Sequence, residues 1–162
     1  MQKKIAVIGL GYVGLPTALA FYGAGFSVTG IDVSKRVVEL LRNGKSPLID
    51  ASEELEIPIN DGRWKISEDF SNTSECEIIL ITVPTPVKED SGPDLSFVES
   101  AARSVLAMIG QNSETVVVLE STVYPGVTRE ILGGICEEIG LVQGKDVHLA
   151  FCPERINPGT EN

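Results

Sequence analysis

Residues 4–32, KIAVIGLGYVGLPTALAFYGAGFSVTGID, decide the fold. An apolar run, Lys4 to Ile8, meets Gly9, Gly11 and Gly14 in a GxGxxG spacing, then a helical stretch from about Tyr12 to Tyr22, then a second apolar run, Val28 to Asp32, ending on an acid. A bare GxGxxG says little, and the same turn occurs in flavoproteins and methyltransferases. Strand, glycine turn, helix, strand and acid in this order say much more, and Asp32 follows Gly14 by 18 residues, close to the spacing of about 20 expected of a dinucleotide fingerprint. Each glycine has its own reason. Gly9 permits the tight turn, Gly11 lets backbone approach a pyrophosphate, and Gly14 lets helix and strand pack closely. The helix N-terminus then offers N–H groups and partial positive charge to phosphates, and Pro16 suits its first turn. Asp32 is expected to accept hydrogen bonds from ribose hydroxyls and to repel a 2′-phosphate, which favours NAD over NADP. Arg36 is the counterweight: it can serve a 2′-phosphate or stand as a solvated residue of the next helix.

Outward from this stretch the pattern repeats. Ile78 to Val83, Val116 to Leu119 and Val147 to Phe151 are further short apolar runs. They are apolar nearly throughout, as strands covered on both faces of a parallel sheet must be. Helical segments are expected from Ser34 to Arg42, Leu95 to Ile109 and Gly126 to Ile139, with Ser34 as N-cap and Gly44 and Gly110 as stops. The expected fold class is α/β, a Rossmann-like doubly wound parallel sheet in three layers. Residues 43–65 are weakly patterned, and residues 84–93 form a proline-bracketed loop after a strand.

The chain has 162 residues, 43% of them hydrophobic, and reads as one domain over residues 1–162. With 13 basic against 23 acidic residues its net charge is −10, which argues against nucleic acid or an anionic membrane as partner. No apolar run approaches the roughly 20 residues of a membrane span, and a cytoplasmic location is expected. Cys76, Cys136 and Cys152 are odd in number and widely spaced, suggesting neither a disulfide framework nor a zinc site. Cys76 and Cys136 read as packing residues, Cys152 as a partly buried strand-end thiol. No metal site is expected, and His148 carries no catalytic assignment.

Three segments follow predicted strands: VPTP at 83–86, ESTVYPG at 120–126 and FCPERINPG at 151–159. Ligands of an open parallel sheet lie outside the carboxyl ends of its strands, so these segments should converge on one crevice. With GLGYVGLP and the PDLSFVESAARS stretch, they make the chain closely resemble the UDP-glucose/GDP-mannose dehydrogenase family nearly end to end. The resemblance implies an NAD-dependent oxidation of the primary alcohol of a nucleotide-linked hexose to a carboxylate, with two NAD reduced per sugar. It implies that Tyr12 and Val13 line the cofactor loop, that Asp32 holds the adenosine ribose, and that Val83, Pro84, Thr85, Ser121 and Thr122 meet NAD, the two threonines on the nicotinamide side. Thr122 and Glu154 take catalytic positions by it, Glu154 in water activation, and Glu154, Arg155 and Ile156 match positions touching the sugar nucleotide. Ordinary turn chemistry at Thr85, helix capping at Thr122 and a surface ion pair between Glu154 and Arg155 are the alternatives.

CPERINPG departs from the NPEFL-like segment of UDP-glucose oxidising members and resembles the branch acting on UDP-N-acetylhexosamines; N-acetylmannosamine, N-acetylglucosamine and N-acetylgalactosamine are left undistinguished. The nucleophilic cysteine of a GGHC-like motif and the accompanying lysine and asparagine motifs do not occur in the chain. It is therefore expected to be the N-terminal part of a longer dehydrogenase, inactive alone, without the central helix and C-terminal UDP-binding domain. The parent is expected to form a homodimer or higher oligomer, and this part to be monomeric. A stand-alone NAD-binding regulatory module and the NAD-binding domain of a hydroxy-acid dehydrogenase are the other readings.

Overall fold

The computed structural model describes residues 3–48, 55–88, 92–111 and 113–153. Six parallel strands make one sheet: β1 (Lys4–Ile8), β2 (Ser27–Ile31), β3 (Trp64–Ser67), β4 (Ile78–Ile81), β5 (Thr115–Leu119) and β6 (Val147–Phe151), in the order β3-β2-β1-β4-β5-β6. The helices are α1 (Gly14–Gly23), α2 (Lys35–Arg42), α3 (Ser96–Leu106) and α4 (Gly134–Ile139). Because side chains alternate along a strand, β1 feeds two cores. Ile5 and Val7 pack with Leu15, Ala18, Val38 and Leu41 of α1 and α2, while Ala6 and Ile8 pack with residues of α3 and α4. These are the three layers of a doubly wound sheet. Within α3, Val98, Ala101, Ala102, Val105 and Leu106 recur at helical spacing and are all buried. Each large one contributes roughly 1.5–3 kcal/mol by leaving water.

The sheet order reverses between β1, which pairs with β2 on one side, and β4 on the other. A crevice therefore opens at their carboxyl ends. Ser34 caps α2 as expected, its hydroxyl accepting the Val37 N–H at 3.5 Å, and Gly44 ends it at φ +70°.

Three expectations about the fold are corrected. Residues 43–65 end in a sixth strand: WKIS is only four residues long, but pairing with β2 and the guanidinium of Arg42 on the Ile66 carbonyl (2.9 and 3.1 Å) hold it at the sheet edge. The single helix expected over 126–139 is instead a π-helical stretch, Thr128–Gly133, running into α4. Its backbone enters from Gly126 at φ +107°. The helix expected to reach Ile109 ends at Leu106, where the N–H groups of Met108 and Ile109 turn back to Val105 and Leu106. Gly110 therefore follows a closing turn instead of terminating the helix.

At the amino-terminal ends of the strands, the Tyr22 hydroxyl donates to Asp61 Oδ2 at 2.6 Å and the backbone N–H of Arg63 to Asp61 Oδ1 at 2.8 Å. The Arg63 guanidinium lies 4.5 Å over the Tyr22 ring. The tyrosine hydrogen bond, then the Arg63 N–H, hold the Asp61 carboxyl below its usual range, and the same tyrosine bond raises Tyr22. A lowered carboxyl contributes stability above its unfolded pKa that is lost as pH falls through the folded one; a raised tyrosine contributes below its unfolded pKa and loses this as pH rises through the folded one. Tyr22→Phe is therefore expected to lower the thermal midpoint near neutral pH and to flatten both the acid and the alkaline limbs of midpoint against pH. Unchanged limbs would contradict this linkage.

Candidate dinucleotide-binding site

The crevice is a cleft of about 780 Å³, within the range of roughly 300–1,000 Å³ usual for ligand sites. Four strand ends build it. Gly9, Gly11, Tyr12 and Val13 come from the turn after β1, and Asp32 and Val33 from the end of β2. Thr82 to Thr85 follow β4, and Glu120 to Thr122 follow β5. The sequence-predicted cofactor residues thus meet on one surface, apart from Arg36 and Gly14. Arg36 is exposed on α2, outside the cleft lining.

The glycines divide their work as the spacing suggests. Gly9 turns at φ +91° and donates its N–H to the Ile31 carbonyl at 2.8 Å, joining the turn to β2. A Cβ on Gly14 would stand inside contact distance of the Gly9 carbonyl oxygen and the Thr82 hydroxyl. A Cβ on Gly11 would meet nothing within 4 Å. Gly11 thus lines the cleft with open space beside its backbone. The first N–H groups of a helix lack intrahelical partners, and those of α1 begin at this turn.

Asp32 is aimed by two backbone donors: Leu10 N–H to Oδ2 and Ser34 N–H to Oδ1, both at 2.8 Å. A carboxylate has about four acceptor sites, so each oxygen keeps capacity for a ribose hydroxyl. No arginine lines the cleft among the described residues, so a 2′-phosphate would meet the Asp32 charge without a guanidinium beside it.

On the β4–β5 side, hydroxyls join the loops. Ser121 is buried and donates to the Val83 carbonyl at 2.7 Å, and Thr85 donates to the Thr122 carbonyl at 2.8 Å. The Thr85 hydroxyl has one proton and spends it within the protein, so it faces a ligand as an acceptor. Thr122 is exposed at the mouth.

Sequence reasoning missed one wall of the cleft. Phe70, from a short 3-10 helix (Phe70–Thr73), stands with Phe97, Ser100, Ala101 and Ser104 of α3 along that wall. The spacing 97, 100, 101, 104 is one helical face, adjacent to the buried one, and its small residues leave room beside the rings. That phase was the available signal. Glu154, Arg155 and Ile156 lie outside the described residues.

The cysteines separate by burial. Cys76 and Cys136 are buried, and burial pushes both thiols up, which keeps them protonated and unreactive near neutral pH. Cys152 is exposed, not partly buried, because it follows the last residue of the edge strand β6; its N–H is held by the Leu119 carbonyl at 3.0 Å.

Residues 3–162 match the UDP-glucose/GDP-mannose dehydrogenase family, NAD binding domain. The chain is 39% identical over 160 residues to UDP-N-acetyl-D-glucosamine 6-dehydrogenase of Salmonella typhi, covering 98% of this chain and 36% of that protein. It is 34% identical over 158 residues to UDP-N-acetyl-D-mannosamine dehydrogenase of Pyrococcus horikoshii, covering 96% and 37%. The crystal structure of NDP-N-acetyl-D-galactosaminuronic acid dehydrogenase from Methanosarcina mazei superposes with a TM-score of 0.85 at 34% identity, covering 96% of this chain and 35% of that one. The chain thus spans little more than a third of the length of the proteins it matches.

Proposed function

Because the chain belongs to the UDP-glucose/GDP-mannose dehydrogenase family as its NAD binding domain, we propose that it is the cofactor half of a nucleotide-sugar 6-dehydrogenase. The substrate is a UDP-N-acetylhexosamine, whose primary alcohol is oxidised to the uronate. The observation that carries this reading is the cleft itself: an open backbone approach at Gly11, a preset ribose acceptor at Asp32, and threonines at the opposite strand ends. The CPERINPG segment and the relatives' names support the N-acetylhexosamine branch.

NAD, when bound, accepts the hydride. The protein's part is binding and orientation, which in such reactions supplies much of the rate by holding reacting atoms in contact. Gly11, Tyr12 and Val13 take the pyrophosphate, and Asp32 takes the adenosine ribose. The apolar wall of Phe70, Phe97 and Val33 suits the adenine ring. Thr85, held as an acceptor, meets a donor such as a carboxamide NH₂, with Val83, Pro84, Ser121 and Thr122 around it. On sequence grounds Glu154 orders or deprotonates water, and Arg155 and Ile156 touch the sugar nucleotide. The whole enzyme is proposed to be cytoplasmic and a homodimer or larger, this domain alone monomeric and without turnover.

Asp32→Ala tests the reading. It is expected to weaken NADH about tenfold or more and to narrow the margin over NADPH, because a lost charge-assisted hydrogen bond costs about 1.5–3 kcal/mol. The readout is fluorescence titration with each nucleotide; an unchanged NADH Kd and an unchanged margin would remove Asp32 from the site. In a full-length protein carrying this domain, two NADH should form per UDP-N-acetylhexosamine consumed. A stoichiometry of one, or turnover of a hydroxy acid instead, would contradict the substrate assignment.

A further inference from the structure

Thr82 is the first residue after β4, buried, and its side chain points at β1. Its hydroxyl lies 2.9 Å from the Ile8 carbonyl oxygen and 2.8 Å from that of Gly9. The Ile8 carbonyl already accepts the Thr82 backbone N–H at 2.9 Å. The Gly9 carbonyl is therefore the acceptor that depends on the side chain. That carbonyl belongs to the Gly9–Leu10 peptide, whose opposite end, the Leu10 N–H, donates to Asp32 Oδ2 at 2.8 Å. A trans peptide directs its C=O and N–H to opposite sides. One peptide plane of the glycine turn is thus gripped from both sides, by a hydroxyl just after β4 and a carboxylate just after β2.

We propose that Thr82 is a positioning residue, whose hydroxyl fixes the Gly9–Leu10 peptide and thereby sets the aim of the Asp32 carboxylate together with the register of the phosphate turn. This rests on the cofactor reading given above and deepens it. Gly9 is one of the two hinges of this peptide, and glycine backbone has few steric barriers, so the peptide plane is freer to rotate when its carbonyl is released. Rotation would withdraw the Leu10 N–H from Asp32, and the carboxylate would then sample orientations that do not face a ribose. The loss is entropic preorganisation of the site, not a ligand contact.

The experiment is a double-mutant cycle between Thr82→Ala and Asp32→Ala, read as NADH and ADP-ribose Kd, with thermal midpoints of the unliganded chains alongside. Thr82→Ala is expected to raise both Kd values by the same factor of about ten, and Thr82→Ser to stay within about twofold of the parent. In the Asp32→Ala background the same Thr82→Ala change should cost less than about threefold, because coupled residues do not add. A role in stability alone would move the midpoint and leave the cycle additive. Should the alanine variant unfold, Thr82→Cys keeps the volume with a weak donor, and the same tenfold loss is expected of it. A folded Thr82 variant that binds both ligands like the parent overturns the inference, as does an additive cycle. Failure of the parent chain itself to bind NADH overturns the cofactor reading and this inference with it.

Discussion

Gly11→Val is expected to fold as the parent chain does and to lose NADH by about 100-fold or more, equal to about 2.7 kcal/mol. The two halves of that expectation have separate causes. A Cβ at Gly11 meets no atom of the protein within 4 Å, and the residue's φ lies outside the left-handed region. Folding is therefore indifferent to a side chain there. Gly11 lines the cleft, and on the proposed reading this is where backbone comes close to the pyrophosphate. The check is the thermal midpoint of the variant beside its NADH titration. A folded variant with parental affinity would mean that the dinucleotide does not cross this turn.

Gly14→Ala is expected to do the reverse, damaging the fold before it damages binding. The added carbon would press on the Gly9 carbonyl oxygen and on the Thr82 hydroxyl. The first is backbone, and the second already holds that same carbonyl. Neither can move without opening the β1–β4 junction. Overpacking of this kind costs about 3 kcal/mol, which lowers the midpoint of a chain this size by about 6–12 °C. A midpoint within a degree or two of the parent would show that α1 can slide away from β1, and that the close packing assigned to Gly14 is not needed. The pair of variants, three residues apart, separates a glycine kept for the ligand from one kept for the fold.

Much of this was legible because local and global requirements coincide along residues 4–32. Lys4 to Ile8 and Val28 to Ile31 are apolar nearly throughout, as a central parallel strand must be, and the glycines between them stand at the spacing of a dinucleotide turn. Strand ends were legible for the same reason: VPTP and ESTVYPG sit where apolar runs stop. The edge was not. Trp64–Ser67 has four residues, is apolar at Trp64 and Ile66 only, and owes its place to β2 and to Arg42 from the helix before it. The π-helical stretch after Gly126 was also hidden, since its residues carry an ordinary amphipathic pattern. Phe70 and Phe97 carried no assignment, because a periodicity reports which residues turn inward, not which of them face a cavity. Hydroxyl partners were beyond reach altogether. Thr82 and Ser121 read as part of strand and motif, and only the three-dimensional register shows that each donates to the neighbouring loop.

The central claim is that this cleft takes NAD and excludes NADP. Its most direct test is a fluorescence titration of the 162-residue chain with NADH and NADPH in parallel, with a UDP-N-acetylhexosamine added only afterwards. Saturable binding of NADH at least about tenfold tighter than NADPH is predicted, because on the proposed reading the Asp32 carboxylate would repel a 2′-phosphate and no arginine lines the cleft among the described residues. Equal binding of the two nucleotides, or none of NADH by a folded chain, would contradict the account.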